Sequence, residues 1–253
     1  MVEPHEKDTP TPYDSALKTL FSHPEMMKAL IEGFVPDPWV KDLDFSVLQP
    51  FPTEHITEDY KQDDISEGEK KTGYKKRLND KVWKLKFKGE WLYVICLLEF
   101  QSSNYFFMAV RLLTYVGLIY QDLLKQKDHQ EVLIQGCLPP IFSLVFYNGD
   151  SPWTAPTQLK GCLSKAIPES LAKYQPNIEY MVVDIGHLGL KEEVIPKENL
   201  VLPLIAIDKA KTPEEVVDIY RRLAIRLKGP QFDEIRRSFL QYVNRILKLP
   251  KDS

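Results

Sequence analysis

The stretch 91–98 (WLYVICLL) constrains the fold of this chain more than any other segment. A strand with one wet face alternates polar and apolar residues, whereas a strand covered on both faces reads as an unbroken apolar run. Residues 91–98 therefore predict a central strand. Just before it, residues 82–87 (VWKLKF) alternate, which predicts a half-buried strand. Lys88-Gly89-Glu90 between the two predicts a hairpin. A two-residue loop of Gly89 and Glu90, with glycine first in a type II′ turn, pairs Lys88 with Trp91. That register sets Asp80 directly opposite Glu99 on one face of the sheet. A three-residue loop would shift the pairing by one residue and separate the two acids.

The flanks extend the pattern. Over 105–125, Phe107, Val110, Leu113, Val116, Gly117, Tyr120 and Leu124 recur at helical spacing. Residues 141–147 (IFSLVFY) predict a second buried strand, closed by the turn Asn148-Gly149. A helix between two such strands predicts a parallel crossover. Residues 179–185 (EYMVVDI) predict one more strand. Upstream, Pro12 suits the first position of a helix that Pro24 interrupts before residue 34. Residues 57–77 are highly charged, mostly acidic over 58–69 and mostly basic over 70–77, and the first part predicts a mobile surface loop. Near the end, Thr212-Pro213-Glu214-Glu215 is a capping box opening a helix to Leu227, and an amphipathic helix follows over 232–247. The expected organisation is a disordered tail over 1–10, an α/β domain over 11–210 and a helical C-terminal extension over 211–253.

Composition narrows the setting. The formal net charge of −3 excludes a generally basic nucleic-acid coat, though not a local basic patch. Cys96, Cys137 and Cys162 show neither zinc-ribbon nor redox spacing, which favours a reducing cytoplasm. The opening residues lack a signal-peptide pattern, and the apolar runs fall short of a bilayer span, so no membrane association is expected.

The chemistry concentrates where the apolar run ends, at Leu98-Glu99-Phe100-Gln101. A carboxylate there is costly unless something pairs with it. Strand periodicity puts Glu99 and Gln101 on one face. Facing carboxylates repel, and a hard divalent cation removes the repulsion. The plainer alternative is that Asp80 starts a strand and Glu99 makes a surface ion pair. Lys81 and Lys84 are candidate phosphate contacts, with simple solubilising lysines as the alternative. Asp14 and Lys18 share a helix face. None of His5, His23, His55, His129 and His187 has metal-ligand spacing.

Several ordered motifs carry a family resemblance. Asp14-Ser-Ala-Leu-Lys-Thr-Leu-Phe21, Arg77-Leu-Asn-Asp80-Lys-Val-Trp-Lys84, Leu92-Tyr-Val-Ile-Cys-Leu-Leu-Glu99-Phe-Gln-Ser102, Met108-Ala-Val-Arg-Leu-Leu-Thr-Tyr115 and Leu144-Val-Phe-Tyr-Asn-Gly149 follow one another in the family's order. Over about residues 12–155 the chain resembles the YhgA-like transposases, the Rpn-type recombination-promoting nucleases. The resemblance implies a bacterial protein of recombination or mobile DNA. It implies a PD-(D/E)XK-like α/β fold, a mixed sheet flanked by helices. It also implies metal-dependent hydrolysis of DNA phosphodiesters. Asp80 and Glu99 would be the acids, with the Phe100 carbonyl and Asp14 as further ligands of Mg²⁺, Mn²⁺ or Ca²⁺. Gln101 stands where the superfamily has lysine, and Asn148 where relatives commonly carry histidine. DNA is the expected partner, and a homodimer is compatible with it. The rivals are a weak or inactive nucleic-acid-binding or interaction protein on the same fold, and a transposase proper.

Overall fold

The computed structural model describes residues 12–52, 81–99, 104–126, 133–149, 151–166, 168–187 and 195–248. The expected hairpin is present as β2 (Lys81–Phe87) and β3 (Glu90–Glu99), but it turns one residue earlier than expected. Phe87 pairs with Glu90 and Lys86 with Trp91, so the loop is Lys88-Gly89. Both loop residues have positive φ, 48° at Lys88 and 89° at Gly89. That is the type I′ geometry, whose twist matches the strands it joins, and not the expected type II′. The partner of every β2 residue moves by two: Lys81 opposes Cys96. The expected loop and register are therefore corrected; Asp80, which that register set opposite Glu99, lies outside the described residues. A shift of two leaves every side chain on its original face.

Around the hairpin a five-stranded mixed sheet runs in the order β1-β2-β3-β4-β5. The first pairs are antiparallel, and β3, β4 (Ile141–Tyr147) and β5 (Met181–Asp184) are parallel. The helix α3 (Met108–Lys125) makes the expected crossover between β3 and β4. Its buried residues, Met108, Ala109, Leu112, Tyr115, Ile119 and Leu123, recur every three or four positions. They pack with Val82, Tyr93, Ile95, Val145 and Tyr147 into one apolar cluster. On the other face of β3, Val94 and Cys96 are also fully buried, as a strand without alternation requires. The strand β1 (Leu43–Pro50) went unread in the sequence. Leu43, Phe45 and Val47 alternate with the exposed Asp44 and Ser46, and the pairing with β2 slips between Asp44 and Gln49.

The chain divides into two compact units, residues 37–191 with the sheet and residues 1–36 together with 192–253. In the second, α1 (Pro12–Leu20), α2 (Pro24–Phe34), α5 (Val201–Lys209), α6 (Pro213–Arg226) and α7 (Asp233–Lys248) are all helical. The capping box works as expected, with the Thr212 hydroxyl accepting from the Glu215 N–H. Buried Asn199 ties α2 to α5: its amide donates to Ala29 O at 2.7 Å, and its side-chain oxygen accepts from Val201 N–H at 2.8 Å. A Cβ on Gly33 would come within 2.4 Å of that amide, so glycine is what lets Asn199 approach. Among the described residues, no helix is long and apolar enough to cross a membrane.

The turn yields a test. Nothing lies within 4 Å of the position a Gly89 Cβ would take, so crowding by other residues is not at issue. Gly89→Ala should still cost about 1–2 kcal/mol, because an L side chain clashes with its own backbone at positive φ. Lys88→Asn should be neutral or stabilising. Urea unfolding of both variants checks the pair.

Candidate active site at the carboxyl ends of the parallel strands

In open α/β sheets, ligands bind beyond the carboxyl ends of the parallel strands. Here those ends line up: Glu99 is in register with Tyr147 across β3 and β4, and Tyr147 with Asp184 across β4 and β5. The apolar interior thus ends on three adjacent strands at one level.

Tyr147 is fully buried, its ring 5.0 Å from that of Trp153, and its hydroxyl donates to Ser151 O at 2.9 Å. The ring fits only because residue 149 is glycine, whose added Cβ would sit 2.0 Å from the phenol oxygen. Asp184 organises the next loop. Its Oδ2 accepts from Trp153 N–H at 3.0 Å, and its Oδ1 accepts from His187 N–H at 3.1 Å. The His187 ring, through Nδ1, lies 3.1 Å from the same oxygen. Asn104 closes the rim from the other side, donating to Pro152 O at 3.0 Å and accepting from Thr154 N–H at 2.8 Å. Backbone loops that would otherwise be independent are therefore held together by two polar side chains. Nearby Tyr180 packs on Trp153 and donates to Pro156 O; burial pushes its phenol up to about 12.

The expected site residues fall as follows. Asp80, Phe100 and Gln101 lie outside the described residues, and Glu99 is placed through its backbone register alone. Lys84 sits opposite Tyr93, on the face that carries α3, with its ammonium 4.7 Å from the centre of the Trp91 ring. Lys86 flanks the same ring at 5.4 Å. Lys81 has the opposite parity on β2, so Lys81 and Lys84 do not share a face. Asp14 and Lys18 lie on α1, in the helical unit. Among the described residues, no group of three or more His, Cys, Asp or Glu comes together as a metal site.

Asp184 and His187 were missed in the sequence. The available signal was weak: an acid closing a short apolar strand, with a histidine three residues on. Their relation to Tyr147 follows only from the parallel register.

A family model for putative transposases, YhgA-like, matches residues 11–232, most of the chain. No curated protein and no solved structure matches it.

Asp184 holds two backbone N–H groups, so Asp184→Ala should destabilise the protein by about 1–3 kcal/mol, the cost of stranding such donors. Thermal unfolding checks the loss. Near-ultraviolet circular dichroism should also show a changed Trp153 signal.

Proposed function

We propose, since this chain belongs to the YhgA-like family of putative transposases, that it is a metal-dependent DNA endonuclease acting in recombination or on mobile DNA. One observation carries the reading. The motif acid Glu99 ends the dry central strand β3, level with Tyr147 and Asp184 on the carboxyl edge of the parallel strands.

The hairpin register supports a partner for it. Extending the β2–β3 pairing one residue past Lys81 would oppose position 80 to Leu97, on the face of Glu99. Diagonal neighbours in an antiparallel pair stand roughly 7–8 Å apart. At that spacing an ion would fit between two carboxylates. Carboxylate and carbonyl oxygens suit hard cations such as Mg²⁺. Asp80, Glu99 and the Phe100 carbonyl would hold the ion. When bound, a divalent cation neutralises charge on the scissile phosphate and makes water a better nucleophile. Gln101 follows Glu99 by two residues and would orient the attacking water through its amide. Lys84 would meet a backbone phosphate, and Lys81 is a weaker candidate for the same task. A PD-(D/E)XK-like core, a cytoplasmic site of action and a homodimer agree with this reading.

A second reading keeps the fold and drops the chemistry. The neutral Gln101 in place of lysine and the net charge of −3 favour a nucleic-acid-binding protein without a fast hydrolytic step. Supercoiled plasmid separates the two. Purified protein should nick or linearise it with Mg²⁺ or Mn²⁺ and leave it intact with chelator. Asp80→Asn should cut at least on the order of 100-fold more slowly with unchanged circular dichroism, because one ligand of the ion is lost. Plasmid left intact with every metal tested, including Ca²⁺, would favour the binding protein.

Gln101 has its own test. Gln101→Leu should nick much more slowly than the parent, since leucine has similar bulk but no hydrogen bond to offer. Gln101→Lys should match or exceed the parent, by adding positive charge near the phosphate. Initial rates over a Mg²⁺ titration check both, and a leucine variant as fast as the parent at every concentration removes Gln101 from the site.

A further inference from the structure

A groove opens between the segments 158–165 and 172–179. It encloses about 490 Å³, a volume suited to a nucleotide unit and not merely to a single ion. Lys160 and Lys165 line it together with Gln158, Gln175 and Asn177, and Glu179 is the acid in its wall. The walls are tied by backbone hydrogen bonds from Leu159 N–H to Ile178 O and from Tyr180 N–H to Thr157 O.

Two exposed aromatic residues belong to segments joined to its walls. Tyr174 is 72% exposed and directly precedes Gln175, with the Lys173 ammonium 5.0 Å from its ring centre. Phe106 is 44% exposed, and Phe107 meets it edge to face at 5.0 Å. The Phe106 carbonyl accepts from the Cys162 thiol at 3.5 Å, which joins this aromatic loop to the groove wall. The same loop is fastened through Asn104 to residues 152–154, and Trp153 to Asp184.

We propose that this groove and its rings form a track for unpaired DNA. Lysines and neutral amides fit a phosphodiester backbone, and exposed ring faces fit bases. A duplex keeps its base faces stacked inside, so it could use the lysines but not Phe106 and Tyr174. The inference rests on the nuclease reading, which supplies DNA as the ligand. The preferred substrate is then a strand with unpaired bases, such as a tail, gap or branch.

Binding measured in chelator tests the track without any cleavage. Fluorescence anisotropy would compare a labelled single-stranded oligonucleotide with its duplex. The single strand should bind more tightly. Phe106→Ala with Tyr174→Ala should weaken single-strand binding by about tenfold or more and leave duplex binding unchanged, while Tyr174→Phe should bind like the parent. Lys160→Gln with Lys165→Gln should lower the salt slope for single strands by about 1.4, for two lost phosphate contacts. All four residues are exposed, so thermal unfolding should match the parent. Duplex bound as tightly as single strand, or an alanine pair with parental affinity, overturns the proposal. So does absence of DNA binding, which would leave the groove to a protein partner. Plasmid nicking by the same preparations separates the two ideas: binding without nicking counts against the nuclease alone, and nicking without a single-strand preference counts against the track alone.

Discussion

The dryness of β3 governs the rest of the structure. A strand buried on both faces admits no charged side chain along its length, because an unpaired buried carboxylate is unaffordable. The first acid can appear only where the strand runs out, at Glu99. Parallel pairing then repeats that level on the neighbouring strands, so Tyr147 and Asp184 stand where β4 and β5 end. The position of the candidate site is thus a consequence of core packing as much as of chemistry.

That logic explains what was legible in the sequence. The unbroken run of β3, the alternation of β2 and the apolar β4 each have a single plain interpretation, and the crossover helix between β3 and β4 follows from them. The turn did not. Gly89 was correctly placed in the loop, but Lys88 was paired into the strand, because lysine rarely adopts positive φ. β1 was lost for another reason: its alternation spans only Leu43 to Val47 before the irregular pairing and Gln49-Pro50 interrupt it. α5 was also unread, since it is apolar nearly all round its surface and carries no helical stripe.

For the site, one acid of the expected pair could be placed by register. The partners that brace the rim could not be foreseen. Asn104 and Asp184 are separated in sequence by the whole of α3, β4 and the loops after them, yet both fasten residues 152–154. Such bonds depend on tertiary neighbours, and a single sequence does not record them. His187 illustrates the same limit: its spacing to other histidines is uninformative, whereas its distance to Asp184 is not.

The helical unit has a consequence for synthesis. α1 packs along α7, although one ends at Leu20 and the other begins at Asp233. At roughly 5–20 residues per second, a ribosome exposes the first of these helices tens of seconds before the last one exists. Until then Leu17, Leu20 and Phe21, fully buried in the finished protein, lack that cover. The nascent chain therefore carries a sticky apolar surface for most of its translation.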